Sequence, residues 1–512
     1  MKTLAGLITL LVAAAFSGCG PGAASPAKTV AVGASPVLFP DYTDIVVPPN
    51  IAPLHFRIQE KGIAFRVALR SATGKPLFIV SSDPLIRIPE RKWRKLLDRN
   101  RGKQLAIDVS VQRPDGIWNH FATVTDTIAE EEIDRYLVYR LINPGYRLWD
   151  AMGIYSRDLS NFTEQPVIRN DLAEKNCINC HSFCRSRPDR VLFHIRGRLG
   201  GTVIITDGHL RKINTKAAHA LSAGVYPAWH PDGNRIAFSV NSIAQEFYSA
   251  GPRSICVFDR ASDLMVYNVE TDSITTTPQI ATADFENMPI WSPDGAYLYF
   301  CSAAPPPEGH AVDSVRYSLL RIAYDAKRNV WGRVDTVLSH KEAGGSISWP
   351  RISPDGRFLL FCLSDYGYFT IHNPLSDLQV MDLKTGNRRL LDVNSNRVES
   401  YHSWSSNGRW FVFSSKRRDG LLARPYFAYF DRNGGVHKAF LLPQKDPSFY
   451  DTFLKNYNIP ELITAPWRTS WRDLYRVVRR EARGVRFDEA AAADALSEAS
   501  VKGALVDTST IH

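Results

Sequence analysis

Cys177-Ile178-Asn179-Cys180-His181 packs two thiols and an imidazole into five residues. This C-x-x-C-H spacing is that of covalent c-type haem attachment. Two thiols add to the two vinyl groups on one porphyrin edge, and the adjacent histidine supplies the proximal imidazole to iron. On this reading Cys177 and Cys180 bind the cofactor, one haem c, and His181 is the metal ligand. Two alternatives stand beside it. The thiols could form a dithiol redox pair, or Cys184 could complete four N/S ligands for zinc. Adjacent Cys180 and His181 are poorly placed to reach one tetrahedral ion together. A dithiol oxidoreductase carries its motif where a strand meets a helix, and no βαβ pattern surrounds this one.

Export bears on the choice. Lys2 gives a short basic start, and Leu4 to Phe16 form an apolar run too short to span a bilayer. Phe16-Ser17-Gly18-Cys19 then resembles a bacterial lipobox, with Phe16 where leucine is usual. That resemblance implies a signal peptide over 1–18 and a lipidated Cys19 as the mature N-terminus. An ordinary secretory signal with an incidental cysteine is the alternative. Small residues and prolines dominate Gly20 to Pro36, so 19–44 reads as a flexible tether. No other segment is apolar enough to cross a membrane. Covalent haem is attached on the outer side to which such a chain is sent, which favours haem over zinc.

Composition narrows the partners. Lys and Arg number 62 against 52 Asp and Glu, a formal charge of +10. The two signs are interspersed and no basic stripe alternates with aromatics, so nucleic acid is excluded as a partner. The modest excess of positive charge suits an acidic redox partner. Of seven cysteines, Cys184, Cys256, Cys301 and Cys362 remain after Cys19 and the motif pair, and no disulfide framework is implied.

An internal repeat sets the scaffold. Trp229-His-Pro-Asp232-Gly233, Trp291-Ser-Pro-Asp294-Gly295, Ile352-Ser-Pro-Asp355-Gly356 and Trp404-Ser-Ser-Asn407-Gly408 each precede an apolar strand ending in phenylalanine. Asp-Gly or Asn-Gly makes the tight turn, and the run after it is a buried strand. The repeat reads as a β-propeller blade. It resembles the TolB-type, WD40-like propeller family, in which Trp-Ser-Pro-Asp-Gly recurs near the start of each blade. Turn formation explains the four acidic or amide residues, so they are not catalytic candidates. Cys301 and Cys362 stand where Ser239 and Ser414 stand in other repeats, which implies small buried residues.

The resulting map is all-β dominated. Alternating Ile63, Phe65, Val67 and Leu69, and Leu105, Ile107, Val109 and Val111, predict a small β-rich, sandwich-like domain over 45–125 with a helix at Arg91 to Arg99. A helical connector over 126–190, with a helix at Ile128 to Leu141, carries the haem motif ahead of the propeller. The propeller occupies 191–445 with five or six blades. A helical C-terminal segment fills 446–512, with Trp471, Leu474, Tyr475 and Val478 on one face, and 488–512 reads as frayed.

Across the mature chain, a lipobox, a β-rich domain, Ile133-Asp-Arg-Tyr-Leu-Val-Tyr-Arg-Leu-Ile142, Asn176-Cys-Ile-Asn-Cys-His-Ser-Phe183 and a TolB-like propeller occur together. The combination resembles a family of exported, haem-motif-bearing propeller lipoproteins of Bacteroidetes type. That resemblance implies haem binding in the cell envelope, anchored by lipid to the outer membrane and facing the periplasm. It supplies no substrate. Three classes remain: an electron-transfer protein whose propeller docks a redox partner, a haem enzyme such as a peroxidase, and a propeller binding or sensor protein with structural haem. Electron transfer is favoured. Met152 and His194 are the candidates for the distal iron ligand, while His230 and His402 read as structural or as lining the propeller mouth. No Ser/His/Asp arrangement suggests a peptidase.

Overall fold

The computed structural model describes residues 28–145, 150–217, 220–248, 255–307 and 312–488. Cys19, the signal and the tether up to residue 27 lie outside the described residues, as does 489–512. From 28 to 44 the expected flexible tether is instead part of the first module, pairing through Thr29–Ala31 and Leu38–Phe39 and burying Leu38 and Tyr42.

The first module is built on a seven-stranded sheet and a small three-stranded one. Ala64–Ser71 pairs antiparallel with Leu77–Ser81 and Gln104–Gln112, in register Val67↔Val109. Phe65, Val67 and Leu69 are buried on one face, the period of two that a half-buried strand requires. Glu90–Arg99 is helical as expected, and Trp93 and Leu97, one turn apart, are its buried residues. Val124–Ile128 is the last strand of this sheet. The module docks on the sixth propeller blade through Tyr42 Oη, which donates to the Leu441 carbonyl at 3.2 Å. Trp410 Nε1 donates to the Glu131 carbonyl at 3.2 Å across the same boundary.

The propeller has six blades. The second is Ile178–Phe183, Arg190–Ile195, Gly201–Thr206 and His209–Asn214, in that order outward from the axis. Blades three to six begin with Val225–Trp229, Phe285–Trp291, Ser346–Ile352 and Glu399–Trp404. Blade one is composite. Its innermost strand is Asn456–Ile463, from the C-terminal end of the chain, followed outward by Tyr136–Ile142, Gly153–Asp158 and Glu164–Arg169. Each innermost strand contacts the next, and Asn456–Ile463 touches both Glu399–Trp404 and Ile178–Phe183, so the ring is closed.

Two further expectations are corrected. In place of the helix at Ile128 to Leu141 stand the end of Val124–Ile128 and the blade-one strand Tyr136–Ile142, and the expected helical connector holds three strands of blade one and the first of blade two. Leu137, Val138, Tyr139, Leu141 and Ile142 are buried because Tyr136–Ile142 lies between two other strands with packing on both faces. A short continuous apolar run fits a buried strand as well as a helix. The haem motif therefore does not precede the propeller, which runs from Tyr136 to Ile463 rather than from 191 to 445. Cys180 and His181 lie within the innermost strand of blade two, and Cys177 immediately before it.

Past the ring, the C-terminal segment forms a clasp. Trp471–Arg479 is helical and capped by Ser470, whose side chain accepts from the Arg472 amide at 3.2 Å. Leu474, Val477 and Val478 are buried in an apolar cluster shared by blades one and two, with the helix lying against His209–Asn214 and Glu164–Arg169. Trp471 and Tyr475, expected on that face, are instead exposed at 62% and 39%. Arg483–Gly484 and Arg486–Phe487 then add parallel edge strands to blades two and three.

The four turns hold as read. Gly295 has φ +77, and a Cβ there would lie 2.3 Å from His230 Nε2, so only glycine fits. Leu462, 2% exposed, sits in the strand that closes the ring. Leu462→Ala is expected to cost about 2–5 kcal/mol. Leu390→Ala, at a 52% exposed edge position, is expected to stay within about 0.5 kcal/mol. Guanidinium unfolding midpoints of the two variants check the contrast.

Candidate functional site

Each innermost strand carries one residue at positive φ beside a register shift. The set is Cys180 (52°), Tyr226 (47°), Met288 (51°), Trp349 (52°), Tyr401 (51°) and Ile459 (50°). The bulge turns these side chains toward the axis. Tyr226 meets Trp349 at 5.7 Å between ring centroids, and Trp349 meets Tyr401 at 4.7 Å, which fills the centre with aromatic rings. Cys180 takes the blade-two place in this ring. The residue after the bulge is proline in four blades (Pro227, Pro289, Pro350 and Pro460) and histidine in two, His181 and His402.

The two thiols and the imidazole of the motif are all buried. Cys177, Cys180 and His181 are 7%, 8% and 3% exposed, and both cysteines are free thiols. Burial pushes the Cys177 thiol up, opposed by Arg140 and Arg196, and Cys180 is close enough to add to the rise. Burial, with Arg140 nearby, lowers His181 to about 3, so its imidazole is neutral at physiological pH. The Ile459 backbone approaches this ring. Neither Nδ1 nor Nε2 has a partner at hydrogen-bonding geometry.

Cys184 belongs elsewhere. It packs with Leu192, Ile204 and Trp229 between blades two and three, and its Sγ donates to the His230 carbonyl at 3.7 Å. Among the described residues no three His, Cys, Asp or Glu side chains converge as a metal site. The four-ligand zinc arrangement is therefore not assembled. The donor set does fit a covalently held haem: two neighbouring free thiols, and a neutral buried imidazole whose nitrogens no protein group occupies at bonding geometry.

Met152 and His194 differ in placement. Met152 forms a packed cluster with Ile142 and Cys177, and its Sδ accepts from the Ile178 amide at 3.2 Å. His194 pairs with Asn179 across the strands, and its Nδ1 lies 3.0 Å from Thr202 Oγ1. His230 is structural: its Nε2 sits 3.2 Å from the Gly295 carbonyl and its ring packs edge-on against Trp291. His402 is buried in the blade-six inner strand with Nδ1 3.8 Å from Cys362 Sγ. Cys301 and Cys362 are fully buried, as small core residues would be.

Sequence reading missed a second buried network beside the axis. Asp259 accepts from Asn241 and Asn287 at 2.8 Å each, from Tyr317 at 2.8 Å and from Tyr368 at 3.1 Å. One carboxylate thereby ties blades three, four and five together. The register of the long blade-three hairpin, Arg235–Phe247 with Ile255–Asn268, brings Asn241 to Asp259, and the other donors come from blades four and five. Burial pushes Glu461 up to about 8, and the Arg351 guanidinium partly offsets that rise.

The buried histidines predict acid sensitivity. Burial, then Arg351, lowers His402 to about 3 in the fold, against about 6.5 when unfolded. Between these values the unfolded chain binds the proton and the fold does not, so stability falls as pH drops from about 6.5 towards 3. His402→Asn is expected to lose less stability than wild type between pH 7.5 and 4.5, as read from urea midpoints.

No known family profile matches the sequence, and no curated protein matches it. Three solved structures illustrate what the fold is similar to. A nidogen/laminin complex aligns at TM-score 0.38 and 8% identity, over 64% of this chain and 100% of that one. An oligogalacturonate lyase in complex with manganese aligns at 0.32 and 12%, over 65% and 99%. A 6-phosphogluconolactonase-like protein of Bacteroides uniformis aligns at 0.31 and 11%, over 70% and 94%. None of these likenesses carries an activity to this chain, whose propeller is established by its own six-sheet order and closed ring.

Proposed function

We propose that this chain is a c-type haem protein of the cell envelope that passes single electrons, with the propeller as the scaffold on which a redox partner docks. The observation that carries the reading is that Cys177 and Cys180 are free thiols in the C-x-x-C-H segment whose His181 imidazole is neutral and unpartnered. Cys177 and Cys180 would hold the porphyrin through thioether bonds, and His181 would offer a lone pair that no proton or protein donor occupies. When bound, the haem supplies a reversible one-electron change at iron. The chain's part is to fix the imidazole by burial and to keep bulk water from it. Of the two distal candidates, Met152 is favoured because it already packs against Cys177.

Partner docking suits the end of the ring where the inner strands begin. Cys177 lies at that end, and so do Leu375, Leu421 and Leu454, exposed at 61%, 72% and 67% on connecting loops. Exposed leucines grouped on one face are a feature of interaction surfaces. A lipidated Cys19 would tether the protein to the periplasmic side of the outer membrane.

Expression with a haem-attachment system tests the reading. A pyridine haemochrome band is expected in wild type and should vanish in Cys177→Ala/Cys180→Ala protein. A low-spin spectrum that converts to high spin in Met152→Ala would support electron transfer with methionine as distal ligand. Wild type lacking covalent haem altogether would sink the proposal, and a cyanide-sensitive high-spin site would move it to the haem-enzyme class.

A further inference from the structure

A cleft opens at the end of the ring where the inner strands begin, between the blade-three hairpin and blades four and five. Its walls are aromatic: Phe258, Phe285, Tyr317, Tyr366, Tyr368 and Phe369. The space among them is about 550 Å³, its open mouth included. Phe285, Tyr317 and Tyr368 are buried, whereas Phe258, Tyr366 and Phe369 are half-buried. The buried side adjoins the aromatic centre of the ring, since Tyr368 meets Tyr317 at 5.7 Å and Tyr226 at 6.0 Å between ring centroids.

Asp259 also lines this cleft, and its charge has donors around it but no cation. Beyond the four donors already described, Ser262 Oγ donates to its Oδ2 at 3.2 Å. Five donors on two oxygens are the surroundings of an ionised carboxylate. No ion pair reaches it among the described residues, and burial and hydrogen bonds are the influences that rank highest on it. His372, on the same wall, is neutral: burial, with Lys416 Nζ 3.3 Å from its Nδ1, lowers it to about 3. Tyr317 and Tyr368 both line the cleft and donate their hydroxyls to Asp259. Donation to an anion enriches the π faces of these two rings. The buried negative charge and the ring faces therefore favour the same kind of guest.

We propose that this cleft binds a small organic cation of the methylated-ammonium class. Aromatic faces hold such a cation without asking it for hydrogen bonds. That suits a carboxylate whose oxygens are already taken by internal donors. The guest's charge would balance Asp259 through the rings of Tyr317 and Tyr368, not by direct contact. A primary ammonium needs acceptor atoms, which ring faces do not supply, and an anion would be repelled by the carboxylate. The site stands apart from Cys177, Cys180 and His181 and does not depend on the haem reading.

Calorimetric titration of the full-length protein with choline, and with dimethylbutanol, the uncharged isostere in which carbon replaces nitrogen, tests the site. Choline is expected to bind about tenfold more tightly than the isostere, the scale of a desolvated cation–aromatic contact. Tyr366→Leu and Phe369→Leu, at half-buried positions, should each reduce that preference severalfold. Asp259→Asn should reduce it further, and the two rim variants keep the test valid if this buried replacement does not fold. Vesicles of phosphatidylcholine distinguish the source of the cation. Retention on them identifies a lipid head group, choline binding without retention identifies a soluble cation, and either result upholds the site. Equal binding of choline and isostere, no binding of choline, or an undiminished preference in both rim variants would overturn it.

Discussion

An innermost propeller strand has a neighbour on each side only while the ring is complete. Without Asn456–Ile463, Tyr136–Ile142 would present an unpaired edge, and the motif strand would lose one of its two neighbours. Closure therefore places Ile459 beside His181 and excludes solvent from the axis. The segment that follows strengthens it: the Thr464 amide donates to the Ser186 carbonyl at 3.0 Å, and Lys212 Nζ to the Val478 carbonyl at 2.7 Å. Strand, helix and edge strands bind three successive blades around the motif. Burial of the imidazole is thus a property of the closed ring, and not of the pentapeptide.

The six bulges explain why a cysteine can face the axis at all. A non-glycine residue in the left-handed region costs about 1–2 kcal/mol, and β-branched Ile459 accepts the same geometry as Cys180. The conformation persists because each bulge is fixed by pairing on one side and by aromatic packing at the centre. Cys180 inherits its orientation from the repeat. So does His181, whose counterpart His402 holds no cysteine neighbour in sequence. Position in the repeat supplies the geometry, and the two thiols supply the chemical difference.

Much of this was legible in the sequence because turns are local. Trp291-Ser-Pro-Asp294-Gly295 and its companions mark a strand, a tight turn and a second strand within about ten residues, and all four turns form. Blade one was hidden because its strands are separated by some three hundred residues and bear no Asp-Gly signal. Tyr136–Ile142 then resembled a helix. The placement of the motif was nevertheless written in the chain: Cys180-His181-Ser182-Phe183 aligns with Tyr401-His402-Ser403-Trp404 and with Tyr226-Pro227-Ala228-Trp229. Loss of the tryptophan and of the following Asp-Gly removed the features by which the other repeats were recognised. The Asp259 network could not be read at all, since its donors come from three blades.

Charge around the axis is arranged unevenly, and the unevenness has a physical direction. Asp259 is surrounded by hydrogen-bond donors, whereas Glu461 is pushed up to about 8 by burial despite the Arg351 charge and keeps one oxygen without a hydrogen-bond partner. Near the motif, two guanidinium groups act on the same thiol with only an amide oxygen for one of them. Of the two, only Arg140 acts on His181, and it does so as the smaller cause: burial accounts first for the neutral imidazole, and the Arg140 charge adds to it.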